Sequence, residues 1–179
     1  MGHGHARQSN AFSRILVKGS VKNREEAESV ASVINTVTIG GAAAPVFDLV
    51  TTARFWPQWH PASQAVGGVT QRPFQLGDLV HERGQIARID FQVTWKVVEH
   101  VRPTRIVLQC YTPPARITYD FRARDAGTEF RREIEYDPAT FRATGPEEGK
   151  MADLMHAQSE EALGRLKALV EKILREEAG

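Results

Sequence analysis

From Ser32 onward the chain is organised by a period of two. Val33, Asn35, Val37 and Ile39 interleave with Ile34, Thr36 and Thr38, and Gly40–Gly41 ends the stretch, which predicts a strand. Ala42 to Thr52 reads as a short helix. Pro45 falls near its first turn, where a missing N–H costs little, and Val46, Leu49 and Val50 form its apolar stripe. Arg54 to Pro61 holds two prolines with Trp56 and Trp59, so it reads as a compact turn or a second short helix. A short strand is expected at Ala65–Thr70. Five more follow at Leu79–Ile86, Ile89–His100, Arg105–Thr112, Ala115–Ala123 and Thr128–Asp137. The breaks Arg102–Pro103, Pro113–Pro114 and Asp125–Ala126–Gly127 are short, so these strands form hairpins and an antiparallel meander.

The alternation assigns faces. One set holds Phe91, Val93, Trp95 and Val97, then Ile106, Leu108 and Cys110, then Ile117, Tyr119 and Phe121, then Phe130, Ile134 and Tyr136. The opposite set holds Asp90, Gln92, Thr94 and Lys96, then Arg116, Thr118, Asp120 and Arg122, then Glu129, Arg131, Glu133 and Glu135. A sheet apolar on one face and charged on the other needs a cover on the apolar side. Gly149 to Glu177 supplies it: the segment lacks proline, and Met151, Leu154, Met155, Ala162, Leu166, Leu169, Val170 and Ile173 recur at helical spacing. The first half of that stripe combines flexible Met151 and Met155 with small Ser159 and Ala162. This leaves either ordinary core packing or room for a ligand between helix and sheet.

Residues 1–31 differ from the rest. Their polar composition predicts a partly disordered tail, with a short helix favoured by Glu25, Glu26, Ala27 and Glu28 between Asn23 and Ser32. His3 and His5 there lack the rigid scaffold that a metal site needs, so no metal site is assigned. Residues 32–179 then make one domain, large enough to fold without a staple; Cys110 is the only cysteine. Lys plus Arg (23) nearly balances Asp plus Glu (22), so no overall field favours nucleic acid or an anionic membrane. No apolar run approaches the ~20 residues of a membrane span, and Met1 to Asn10 has no apolar signal core, so the default expectation is a cytoplasmic protein without stable membrane insertion. Clustered Cys/His ligands, a phosphate-cradling glycine loop and a Gly-x-Ser-x-Gly turn are absent, and no cofactor is implied.

The order strand, two short helices, antiparallel meander, long helix is the helix-grip plan, an α+β fold in which a curved antiparallel sheet wraps a long C-terminal helix. Specific phrases accompany it: Ala43-Ala44-Pro45-Val46-Phe47-Asp48-Leu49-Val50-Thr51, Trp56-Pro57-Gln58-Trp59-His60-Pro61, Arg72-Pro73-Phe74 with Gly77-Asp78, Thr94-Trp95-Lys96-Val97-Val98-Glu99, and Gly127-Thr128-Glu129-Phe130-Arg131-Arg132. Together they resemble the polyketide cyclase/dehydrase-type branch of the START-like (SRPBCC) superfamily, over about Ser32 to Glu176. That superfamily contains lipid carriers, cyclases, plant allergen-type binders and chaperone activators, so the resemblance implies a fold more than an activity.

Three polar positions carry the candidate chemistry. Arg132 shares parity with Phe130, Ile134 and Tyr136, so a regular strand points a guanidinium at the apolar face. There it could bind a ligand's carboxylate, enolate or carbonyl, pair with Glu82 or Glu99, sit at the pocket mouth, or be turned out by a bulge after Gly127. In the strand around Glu82, alternation turns inward either His81, Arg83 and Gln85 or Val80, Glu82 and Ile86; the second buries two aliphatics and makes Glu82 a partner for Arg132 or part of a structural ion pair. His60 in the early turn could move a proton near neutral pH or simply pack locally, and His156 on the last helix is a weaker candidate. Trp59, Phe91, Val93, Trp95, Leu108, Tyr119, Tyr136, Met151, Met155 and Ser159 are the expected ligand-contacting residues.

Three functions compete. The first is binding of a small hydrophobic molecule (lipid, polyketide or aromatic) between sheet and helix. The second is a polyketide cyclase or dehydratase-like enzyme, which requires a polar cluster inside the cavity. The third is a stress-response or protein-binding module, which requires an exposed apolar patch.

Overall fold

The computed structural model describes residues 30–141, Gly145 and residues 148–179. The tail and the histidine pair His3/His5 lie outside the described residues, as does most of the helix expected near Glu25. The last two positions of that expected helix, Ala31 and Ser32, already belong to a strand.

Seven strands follow the alternating stretches: β1 Ala31–Ile39, β2 Ser63–Gly68, β3 Leu79–Ile86, β4 Ile89–Val101, β5 Arg105–Tyr111, β6 Pro114–Arg124 and β7 Gly127–Tyr136. They form one antiparallel sheet in the order β1-β7-β6-β5-β4-β3-β2, curled into a half-barrel. Between β1 and β2 stand α1 (Ala43–Val50), a 3-10 turn (Ala53–Phe55) and α2 (Trp56–Trp59), and after β7 comes a 3-10 turn (Pro138–Phe141) that the sequence pattern did not signal. The last element, α3 (Glu148–Glu177), is the long helix that the sheet grips. Among the described residues, no helix is long and apolar enough to cross a membrane.

β2 begins two residues before the expected Ala65, because Ser63 pairs with Gly84. Val69 and Thr70 have left the strand, their backbone groups bonding Leu79 and Arg54 instead. The inward faces are those that the alternation assigned. Trp95, Val97, Ile106, Leu108, Cys110, Ile117, Tyr119, Phe121 and Phe130 are buried in one core with α1, α2 and the C-terminal half of α3. On the outer face Arg105 bridges Glu99 and Asp120, and Arg131 bridges Asp120 and Glu133. Outward-facing Val107 and Thr118, opposite one another on β5 and β6, are buried as well.

The helix is fixed to the end of β1 by polar contacts. Lys167 donates to the Thr38 carbonyl at 2.6 Å, and Glu171 accepts from the Gly40 N–H at 2.7 Å and from Lys167 at 2.6 Å. Gly127, at φ +129°, crosses this corner where a Cβ would meet the Ile39 carbonyl at 2.3 Å. The N-terminal half of α3 packs differently, with Met151 and Met155 against Val33 and Tyr136 in a separate apolar cluster.

Candidate functional site

Between the sheet, α2 and the first half of α3 lies a cavity of about 120 Å³. Its wall takes Phe91, Val93 and Trp95 from β4, Ile117 and Tyr119 from β6, Ile134 and Tyr136 from β7, Trp56 and Trp59 from α2, and Met155 from α3. Ile86, Pro113, Pro114, Thr140 and Phe141 come from turns or their edges, and exposed Thr140 puts that end of the cavity at the surface. Apart from Tyr136 and Thr140 towards the open end, the polar members of the wall are His60, Glu82, Tyr119 and Arg132.

Each polar residue has a local reason for its position. Arg132 occupies an inward place on β7, opposite Tyr119 of β6 and Asn35 of β1, and is 4% exposed. Regular alternation therefore holds through this residue, and no bulge turns it out. Its Nη1 donates to Ser159 Oγ on α3 at 3.0 Å, and its Nη2 lies 3.1 Å from His60 Nε2. Tyr119 also accepts from the guanidinium. Burial pushes the Tyr119 hydroxyl up, a shift that the charge of Arg132 opposes.

Glu82 points inward from β3, as the choice burying Val80 requires, and is 7% exposed. Its Oε2 accepts from Trp95 Nε1 at 2.8 Å, a diagonal contact with the neighbouring strand. The hydrogen bonds thus differ from the expected acid–base pair: Arg132 bonds Ser159 and His60, while Glu82 bonds Trp95 and feels Arg132 only through its charge. Glu99, the other expected partner, pairs with Arg105 on the outer face. Burial pushes the Glu82 carboxyl up; the Trp95 N–H, the Ser63 hydroxyl and the Arg132 charge oppose that shift.

His60 reaches the cluster because α2 stops there. Its N–H bonds the Trp56 carbonyl at 2.8 Å, its backbone turns extended (φ −96°, ψ 110°), and buried Trp56 and Trp59 anchor the turn. Burial, followed by the charge of Arg132, holds the imidazole well below its ordinary value of 6.5. The segment after it is laid on β3 by the Gln85 N–H, which bonds the Ala62 carbonyl at 2.9 Å. Gly84 makes that approach available, since a Cβ there would stand 2.0 Å from the Ala62 oxygen and 2.5 Å from the Phe91 ring. Sequence reasoning passed over Gly84, although a glycine inside a β-rich stretch signals close approach of another chain segment.

Of the expected ligand-contacting residues, Trp59, Phe91, Val93, Trp95, Tyr119, Tyr136 and Met155 stand in the cavity wall. Leu108 does not: it is fully buried in the main core, paired with Val97 and Ile117. Met151 packs in the second cluster, and Ser159 serves as the hydrogen-bond partner of Arg132 rather than as part of the wall. His156 is exposed on α3. Chemically, the arrangement can hold an apolar body against aromatic rings while a fixed cation and a neutral imidazole address one oxygen-bearing end.

A family model described as "Polyketide cyclase / dehydrase and lipid transport" matches residues 30–171. No curated protein matches the chain. Among solved structures, a START superfamily protein from Mycobacterium smegmatis is similar with a TM-score of 0.64 at 14% identity, covering 79% of this chain and 98% of that one. A protein of unknown function from Staphylococcus aureus reaches 0.64 at 11% identity, over 82% of this chain and 97% of its own. The di-domain ARO/CYC protein BexL of the BE-7585A biosynthetic pathway reaches 0.61 at 21% identity, over 82% of this chain and 52% of BexL. At these identities the likeness is one of fold.

Proposed function

Because this chain belongs to the polyketide cyclase/dehydrase and lipid transport family, we propose that it binds a small hydrophobic molecule in the cavity between the sheet and α3. The observation that carries this reading is the wall itself. An apolar cavity of about 120 Å³, lined by seven aromatic side chains and aliphatic ones besides, would be a packing defect in a protein that bound nothing. Arg132, with Tyr119 and His60 beside it, would take the polar end of the ligand.

The test is a titration of the full chain with an apolar fluorophore, alongside native mass spectrometry of freshly purified protein. A bound small molecule, or fluorophore binding weakened at least tenfold by Val93→Phe, is the expected result. Binding unaffected by filling the cavity would count against the reading.

A second reading has a specific observation in its favour: the polar cluster lines the same cavity. In an enzyme that cyclises or dehydrates a reactive chain, Arg132 would polarise a carbonyl and Glu82 as acid would move a proton, while His60, whose Nε2 accepts from Arg132, would orient the guanidinium. Conversion of a carbonyl-bearing ligand by the full chain, lost in Arg132→Gln, would favour this reading over carriage alone.

A further inference from the structure

Buried side-chain atoms with no hydrogen-bond partner among the described residues include Asn35 Oδ1, Trp56 Nε1, Trp59 Nε1, His60 Nδ1 and Arg132 Nε. Four of these belong to residues of the cavity wall, namely Trp56, Trp59, His60 and Arg132. All four are nitrogens that donate. Indole Nε1 and guanidinium Nε carry hydrogen always. His60 Nδ1 carries one because Nε2 must accept from Arg132, a side chain with no acceptor of its own. A buried N–H without a partner costs about 1–3 kcal/mol, a cost that an accepting occupant beside these four wall residues would relieve.

Charge narrows the occupant further. Arg132 is 4% exposed, yet the groups that bond it are a serine hydroxyl, a neutral imidazole and a phenol. Buried charges in proteins are normally paired. The one acid in the wall, Glu82, gives its Oε2 to Trp95. Size sets the last limit: an engineered cavity of about 150 Å³ takes benzene, and this one measures about 120 Å³.

Building on the hydrophobic-ligand reading, we infer that the cavity takes a single-ring aromatic carboxylate, whose oxygens meet the unpartnered donors around Arg132 while its ring lies among Val93, Ile117 and Ile134. A carboxylate is the fitting group because it only accepts, offers about four lone-pair sites and carries the compensating charge. A single ring is the body that the enclosed volume matches, and a longer chain would have to extend out past Thr140.

The experiment uses three probes on the full chain at neutral pH: benzoate, benzamide and decanoate. Binding is read from the fluorescence of Trp56, Trp59 and Trp95, all of which are in the wall. Benzoate is expected to bind at least tenfold tighter than benzamide and tighter than decanoate. Arg132→Gln should erase the preference for acid over amide. Should that variant fail to fold, Ser159→Ala serves instead: it keeps the guanidinium but removes the hydroxyl that holds Nη1, and should weaken benzoate more than benzamide. Benzamide equal to benzoate, or decanoate tenfold tighter than benzoate, would overturn the inference and leave hydrophobic binding standing. Failure of all three probes and of an apolar fluorophore would remove the reading beneath it as well.

Discussion

Arg132 Nη2 lies 3.1 Å from His60 Nε2, and only one of the two can be the donor. The guanidinium has no lone pair to offer, so the imidazole accepts and is held as the neutral tautomer with hydrogen on Nδ1. A strand and a short loop, 72 residues apart in sequence, are joined by this contact.

The first prediction concerns acid stability. Burial and the Arg132 charge keep His60 well below 6.5 in the folded chain. Below that pH the unfolded chain binds a proton that the folded chain refuses, so this group lowers stability as pH falls from 6.5 towards the folded pKa. Above 6.5 it contributes no slope. The slope from one such group reaches about 1.4 kcal/mol per pH unit. Urea unfolding of wild type and His60→Gln at a series of pH values from neutral downwards should show a shallower decline in the variant. Parallel declines would mean that His60 protonates as readily in the folded chain.

Glu82 works in the opposite direction. Its folded pKa is raised above 4.5, mainly by burial, so stability falls as pH rises through the window between 4.5 and the folded value. Glu82→Gln keeps an oxygen for Trp95 Nε1 and removes the ionisation. The variant should melt higher than wild type at neutral pH, by about 2–4 °C for each kcal/mol relieved, with the gain vanishing at pH values below 4.5. A lower melting temperature at neutral pH would show that the carboxylate stabilises Arg132 more than its own burial costs.

These two residues also mark what the sequence could convey. The inward direction of Arg132 and Glu82 follows from parity alone, since a pleated strand allows two faces and the aliphatic neighbours choose one. The two faces of the sheet were legible for the same reason, the covering helix from its own helical spacing, and the curl of the sheet from the order of elements. Partner choice was not: it depends on which residues on other elements come within 3 Å, and alternation says nothing of that. Ser159 read as a small residue making room, and His60 as a loop residue of no fixed direction. Leu108 has the right parity but lies in the closed part of the core, where parity cannot separate packing from lining.

Gly84 provides the third prediction. Its missing side chain admits both the Ala62 carbonyl and the Phe91 ring, so Gly84→Ala must displace the segment that carries His60. Such overpacking costs about 1–3 kcal/mol. The expected outcome is a melting temperature several degrees lower, together with weaker ligand binding than the stability loss alone explains. Unchanged binding in protein that is still folded would separate the backbone at Ala62 from the site.

Ser159 gives the sharpest test of how the cation is held. It is 2% exposed, and its hydroxyl is the acceptor for Arg132 Nη1 at 3.0 Å. Ser159→Ala leaves a buried charged donor facing a methyl group, at a cost of about 1–3 kcal/mol. It also frees the guanidinium to tilt, so benzoate affinity should fall more than benzamide affinity. Thermal melts and paired titrations measure the two effects. Ser159→Cys decides between volume and hydrogen bonding, because its thiol fills similar space but accepts weakly. If the cysteine variant shares the losses of the alanine variant, the hydrogen bond is what α3 contributes at this position. If it recovers wild-type behaviour, filled space is sufficient, and Arg132 is held from the sheet and the His60 loop alone.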